Sequence, residues 1–413
     1  MMHTPPQGEL KRGWRVVIGA ALGYATGSQA LPFYTLSTLM LPLGEAFGWT
    51  RSQISAVTLL TLLANLIALP LIGTLADRFG ARRVGLTSLA LSAVGYLAFV
   101  AVSGDIIVFY SIWLGMMVLG AGTSPAVWMR GVVSWFERRR GLAIGLTAVG
   151  AGLSGTVAPP LVEAAVRASD WRGGFILMAV LAGAIAFPIT YATFHERTRA
   201  ATLSITAATA AATGASLRQA VRSRHFWQLA LALLLTGATV SAFIIHLVAL
   251  LGDDGVARTQ AVLLASLLGV AIMAGRLTIG WLVDVLFAPY VAATTFFFSA
   301  LALALIASGW IASTPVFLGI CIALIGLSVG AEGDLVSFLT ARYFGMRSFS
   351  AICAWMIVAY SFGQGLAPLG AAALRDSTGS YFTPLLIGCA SLLLSVALFA
   401  SLGRYPREYE HHS

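Results

Sequence analysis

Apolar runs of twenty or more residues recur from Trp14 to Leu402, broken by short polar segments. A run of this length crosses a hydrocarbon core of about 30 Å as a helix, so the pattern predicts an all-α integral membrane protein. Twelve transmembrane helices are expected, at 14–42, 52–75, 84–103, 106–136, 141–166 and 173–194, then 226–251, 259–286, 289–312, 315–342, 347–374 and 382–403. One polar break is longer than the rest. Residues 195–225 run from His195-Glu-Arg-Thr-Arg199 through an Ala/Thr-rich stretch to the basic segment that begins at Ser216. Its first part reads as a flexible cytoplasmic linker and its second as a short amphipathic helix at the membrane surface.

The two series of spans follow one plan. Gly73-Thr-Leu-Ala-Asp-Arg-Phe-Gly-Ala-Arg-Arg83 joins the second and third spans, and Gly280-Trp-Leu-Val-Asp284 repeats its first half at the same point of the second series. In the same order Arg51-Ser-Gln53 matches Arg258-Thr-Gln260, Asp77 matches Asp284, Trp135-Phe136 matches Tyr343-Phe344, and Ala158-Pro159 matches Ala367-Pro368. Ordered correspondences of this kind are the mark of an internal repeat. They predict two pseudo-symmetric six-helix halves, 1–194 and 226–413, joined by the linker 195–225. Two similar halves flanking a midplane cavity can expose it to one side at a time. Gly23/Gly27, Gly141/Gly145 and Gly326/Gly330 have the spacing that permits close helix crossings.

Composition agrees with the pattern: 58% of the 413 residues are hydrophobic and 10% are charged, which excludes a soluble domain of this length. The net charge of +9 and the pI near 9.9 would suggest nucleic-acid binding in a soluble chain. Here the charge has a topological reading, because most of the 25 basic residues fall in alternate polar breaks. Basic residues are retained on the cytoplasmic side during insertion, so both termini are expected inside a bacterial-type inner membrane. The expected partners are the bilayer and a small solute, with no nucleic acid and with a monomer as the working unit. Lys11 is the one lysine, which leaves no Gly-Lys pair for an ATP-binding loop. Cys321, Cys353 and Cys389 lack metal-ligand spacing, and no nucleophile, base and orienting group can be assembled. No cofactor and no enzymatic activity are expected.

Charges inside the predicted spans are the candidate functional residues, because burying them in lipid is costly. Arg276 lies eight residues before Asp284, roughly 12 Å from the cytoplasmic helix end. Its guanidinium stays charged and presents two parallel donors matched to a carboxylate. The competing reading is a fixed ion pair with an acidic neighbour. Glu332 and Asp334 lie near the midplane, about 200° apart around their helix, so both cannot face one cavity squarely. Either could carry a proton or form a static salt bridge with Arg276 or Arg130. His246 could titrate near neutral pH or serve as a packing residue. Arg130 is nearer the cytoplasmic end, where a gating or snorkelling role fits. Gly73, Asp77, Arg78, Gly80 and Arg83, with Asp284 of the echo, form charged joints suited to gating. Gln29, Asn65 and Gln364 are neutral polar candidates for the cavity lining.

Gly73 to Arg83 matches the loop between helices two and three of the major facilitator superfamily, and the whole chain resembles that superfamily. Trp135-Phe-Glu-Arg-Arg-Arg-Gly-Leu-Ala-Ile-Gly145, Gly275-Arg276 and Arg342-Tyr-Phe-Gly345 resemble its monocarboxylate porter branch, which is similar to oxalate:formate exchangers. That resemblance implies the major facilitator fold and a small organic anion, commonly carried with a proton, with Arg276 holding its carboxylate. Ile272 stands where typical proton-linked members have an acid, and Phe33 where some have a lysine. The leading expectation is a proton-coupled carrier of a small carboxylate. A carboxylate exchanger and, from another class, a membrane receptor that binds without transporting are the alternatives.

Overall fold

The computed structural model describes residues 9–136, 140–196, 214–309, 314–345 and 347–406, with the side chains of 9–12, 77, 140–142, 284, 334 and 350 outside that description. The described elements are helices. In the first part they are α1 (Glu9–Thr26), α2 (Leu31–Phe47), α3 (Arg51–Phe79), α4 (Ala81–Phe99), α5 (Ile106–Leu119), α6 (Pro125–Val133), α7 (Arg140–Ala168), α8 (Trp171–Ala179) and α9 (Phe187–Thr193). A π-helical segment, Val180–Ala186, joins α8 to α9. Then follow α10 (Leu217–Arg222), α11 (Arg224–Asp253), α12 (Arg258–Val285), α13 (Ala288–Ala307), α14 (Pro315–Phe344), α15 (Phe349–Thr378) and α16 (Phe382–Ala400). Among the described residues nine helical stretches are long and apolar enough to cross a membrane, and α5 is a shorter apolar helix.

Two expected spans are not single helices. The run 14–42 breaks into α1 and α2 at residues 27–30, and 106–136 breaks into α5, a short 3₁₀ turn at Ala121–Thr123, and α6. Each new helix carries a proline in its first turn, Pro32 and Pro125, where a missing N–H costs nothing, and Ser124, just before Pro125, is extended. The breaks meet: the Ser28 and Thr123 hydroxyls are 3.5 Å apart, and a Cβ on Gly27 would collide with Thr123. Close crossing here is a tertiary contact that hydropathy cannot register.

The chain divides into two compact units, Met1–Trp49 with Leu60–Thr202, and Thr50–Leu59 with Leu203–Ser413. In the first unit α1 and α2 pack on α7, and α4 packs on α5 and α8. Its core gathers Val16, Ala20, Val84, Trp128, Val132, Phe136 and Phe194. In the second unit α11 packs on α15, α12 on α14, and α13 on α16. The second unit also includes the first turns of α3, which the expected half 1–194 assigned to the first. The expected amphipathic helix after the linker is shorter than foreseen. Ser216 and Gln219 form a capping box on the six-residue α10, and Ser223 then caps α11, so that Trp227 already belongs to the long helix.

Candidate functional site

Within the second unit, the close packing of α12 on α14 brings the predicted charges to one level. A Cβ on Gly330 would strike the Ile272 carbonyl and the Arg276 backbone nitrogen, and a Cβ on Gly275 would strike the Leu327 backbone. The two helices therefore touch backbone to backbone at Arg276, and Glu332 follows Gly330 by about 3 Å of helix rise. Arg276 is half-buried. Among the described residues no carboxylate pairs with it; the side chain of Asp334 lies outside them. Glu332 is 2% exposed and forms no salt bridge with Arg276 among the described pairs. Instead the Tyr360 hydroxyl of α15 donates to its Oε2, and the Gln364 amide donates to the Tyr360 oxygen at 3.1 Å. Oε1 of Glu332 is buried with no hydrogen-bond partner.

His246 lies in a second, separate group. Its Nε2 donates to the Pro368 carbonyl at 2.9 Å, and its Nδ1 is 2.9 Å from the Tyr381 hydroxyl, with Ser55 Oγ 3.4 Å from Nε2. A carbonyl only accepts, so Nε2 carries a hydrogen; in the neutral ring Nδ1 is then the acceptor of the tyrosine hydroxyl. Burial pushes the Tyr381 phenol up to about 12, against the opposing pull of the Arg51 cation, so it keeps the proton it donates. Around this buried group sits an ionic rim. Arg51 grips Asp253 with two bonds of 2.6 and 2.7 Å, and Arg375 adds bonds of 3.0 and 3.1 Å to the same carboxylate. Asp376 accepts from the Ser52 backbone N–H at 2.9 Å and from its hydroxyl at 2.5 Å, a carboxylate at the start of α3 where the helix dipole favours it. The proline of α15 matters as well. Pro368 cannot bond the Gln364 carbonyl, and Ser241 of α11 donates to that carbonyl at 3.2 Å.

In the first unit the charged loop closes on the chain just after α9. Gly80 has φ +88°, a left-handed conformation in which a side chain is strained, and a Cβ there would meet the Glu196 carboxylate. Glu196 accepts from the Ala81 backbone N–H at 2.8 Å, at the start of α4, and its other oxygen lies 3.8 Å from Arg130. Arg82 donates to the Phe194 and Tyr191 carbonyls at 2.7 Å each. The other arginines of the loop stand apart from this contact: Arg78 lies over the Phe79 ring, and Arg83 borders an apolar groove with Thr87 and Leu91. A Cβ on Gly73 would enter open space. Gln29 donates to Asn65 at 3.1 Å. The side chains of Asp77, Asp284 and Asp334 lie outside the described residues.

Residues 22–368 match the family described as the Major Facilitator Superfamily. The chain belongs to the Major Facilitator Superfamily. Among curated relatives it is 28% identical to monocarboxylate transporter 11 of Mus musculus over 408 residues, covering 95% of this chain and 88% of that protein. It is 25% identical to monocarboxylate transporter 13 of Bos taurus over 410 residues, covering 97% and 91%. The crystal structure of a D-xylose-proton symporter superposes with a TM-score of 0.70 over 96% of this chain and 99% of that one, and at 13% identity this likeness concerns the fold alone.

This major facilitator protein is therefore a multi-pass membrane transporter, and it resembles the monocarboxylate transporter branch. Several residues of its polar groups escaped the sequence reading, and Gln364, read only as a neutral candidate for the cavity lining, was not linked to Glu332. Tyr360 and Gln364 sit four apart on one helix, a spacing that marks a shared face but not its partner. Arg82 and Glu196 lie in polar breaks, where charges are ordinary. Arg51, Asp253, Arg375 and Asp376 lie at helix ends, and only folding brings them together.

Proposed function

We propose that this transporter is a secondary carrier that moves a small monocarboxylate together with a proton, by alternating access, across a bacterial-type inner membrane with both termini on the cytoplasmic side. Arg276 is the group that takes the carboxylate, and the observation that carries this reading is its position. It sits mid-helix with no described carboxylate partner, where α12 touches α14 beside the buried Glu332. A guanidinium held there can offer a bidentate grip to an incoming anion. Glu332 is the proton carrier, because a buried carboxyl beside a binding cation can exchange a proton as the anion arrives or leaves. The names of the relatives support the substrate class.

Gly80, Asp77, Arg78, Arg83, Arg130 and Asp284 serve gating in this reading. His246, with its ring bonds satisfied by neighbouring helices, acts by holding those helices together, leaving Glu332 and Asp334 as the proton-coupling candidates. The test is counterflow in proteoliposomes with a panel of mono- and dicarboxylates, with and without a pH gradient. Monocarboxylate accumulation driven by an inward proton gradient is expected. Flux that needs a counter-anion and ignores the gradient would return the exchanger reading, and binding without accumulation the receptor reading.

A further inference from the structure

The polar chain that ends on Glu332 has a direction. An amide N–H of Gln364 donates to the Tyr360 oxygen, so the single hydroxyl hydrogen of Tyr360 is directed to Glu332 Oε2. The Tyr360 ring is fixed in turn, since a Cβ on Gly237 of α11 would meet it, and only glycine leaves the ring its place. Oε2 therefore has a donor that stays with it in either protonation state. Oε1, buried and with no hydrogen-bond partner among the described residues, keeps both lone pairs open to a proton, whereas one of those on Oε2 is taken by Tyr360.

We propose that Tyr360, held by Gln364, is the positioning residue that pins Glu332 through Oε2 and leaves Oε1 as the atom that gains and loses the proton. This rests on the reading of Glu332 as the proton carrier. The balance is simple: a proton from the aqueous side adds to a lone pair of Oε1, the Tyr360 bond to Oε2 persists, and the same proton leaves by the reverse step. Pinning matters because a free carboxyl could turn either oxygen toward Tyr360 and lose a defined exchange atom.

Other ionisable groups on the elements packed against α14 are few. The α12 helix brings Arg258 at its start, Arg276 and Asp284, α15 brings Tyr360 with Cys353 and, at its far end, Arg375 and Asp376, and α11 brings His246 and Asp253 toward one end with Arg224 and His225 at the other. The α13 helix brings Tyr290 near its start, and α14 itself carries Cys321, Asp334, Arg342 and Tyr343. Among the described side chains of this set, Tyr360 is the one that hydrogen-bonds Glu332.

The experiment is an infrared pH titration of the full-length protein in lipid, in which subtraction of a Glu332→Gln sample isolates the Glu332 carboxyl band. In Tyr360→Phe, which keeps the ring and removes the donor, the protonated-carboxyl band should persist to a pH about one unit higher and move to higher frequency. Gln364→Leu should move the band the same way by less. A purely structural role of the tyrosine would leave both the midpoint and the frequency where they are, and that result overturns the proposal. So does a Glu332 band that never titrates in either protein. Uptake of radiolabelled lactate, measured in parallel across the same pH range, separates the two readings. A shifted band with lactate uptake indifferent to the proton gradient would sink proton symport and leave the pin standing.

Discussion

At the scale of single residues, Arg276 and His246 show why a charge in a predicted span does not state its own role. Both were visible as costly groups in apolar helices, yet the fold treats them oppositely. His246 is ringed by three partners, while Arg276 keeps its donors clear of described carboxylates. Replacing Arg276 by Ala should therefore lower carboxylate counterflow by about 10- to 100-fold, the loss of charged hydrogen bonds worth roughly 1.5 to 3 kcal/mol. Lysine should restore only part of it, because a point charge cannot make the two-pronged contact. Normal counterflow in the Ala variant at equal expression would remove Arg276 from the site. His246→Phe should act on stability instead. It strands the Tyr381 hydroxyl and the Pro368 carbonyl, each at about 1 to 3 kcal/mol, and a lowered unfolding temperature in detergent is the measurement.

At the scale of elements, glycine placement decides which helices touch. The spacing Gly326/Gly330 was legible as a crossing motif and meets α12, while Gly145, read from the same spacing, has no neighbour within reach of a Cβ. The difference is tertiary: a small residue allows approach and does not cause it. Gly330→Ala should push α14 away from the Ile272–Arg276 backbone and displace the guanidinium. Counterflow should fall at least about ten-fold, the effect of roughly 1.4 kcal/mol of misplaced contact, and Gly73→Ala should leave it unchanged. Equal losses in both variants would contradict this account. The broken runs 14–42 and 106–136 belong at this scale too, since the prolines that start α2 and α6 were visible while the crossing beside Gly27 was not.

At the scale of the whole molecule, α3 is the informative element, because its first turns group with the second unit and its remainder with the first. Arg51, Ser52, Ser55 and Thr58 bond to Asp253, Asp376, His246 and the Gly365 carbonyl. Removing Arg51 should loosen this group by about 1 kcal/mol, since its ion pair is partly exposed, or a factor of about five in the population of open states. Labelling of a Ser55→Cys protein by a membrane-impermeant maleimide should accelerate by that factor in Arg51→Ala. An unchanged rate would show that the ionic rim does not hold this end of α3.

The sequence alone determined the class of solvent, the transporter family and the residues whose burial needs a reason, because hydropathy and repeated motifs are properties of the chain itself. Which charge is satisfied, which has no carboxylate partner among the described residues and which oxygen of Glu332 has no described hydrogen bond were decided only by tertiary structure. Those depend on partners from helices far apart in sequence: Tyr360 reaches Glu332 because Gly237 gives it room, and Glu196 reaches Ala81 because Gly80 turns left-handed. A period along one helix specifies a face, and only packing specifies what that face meets.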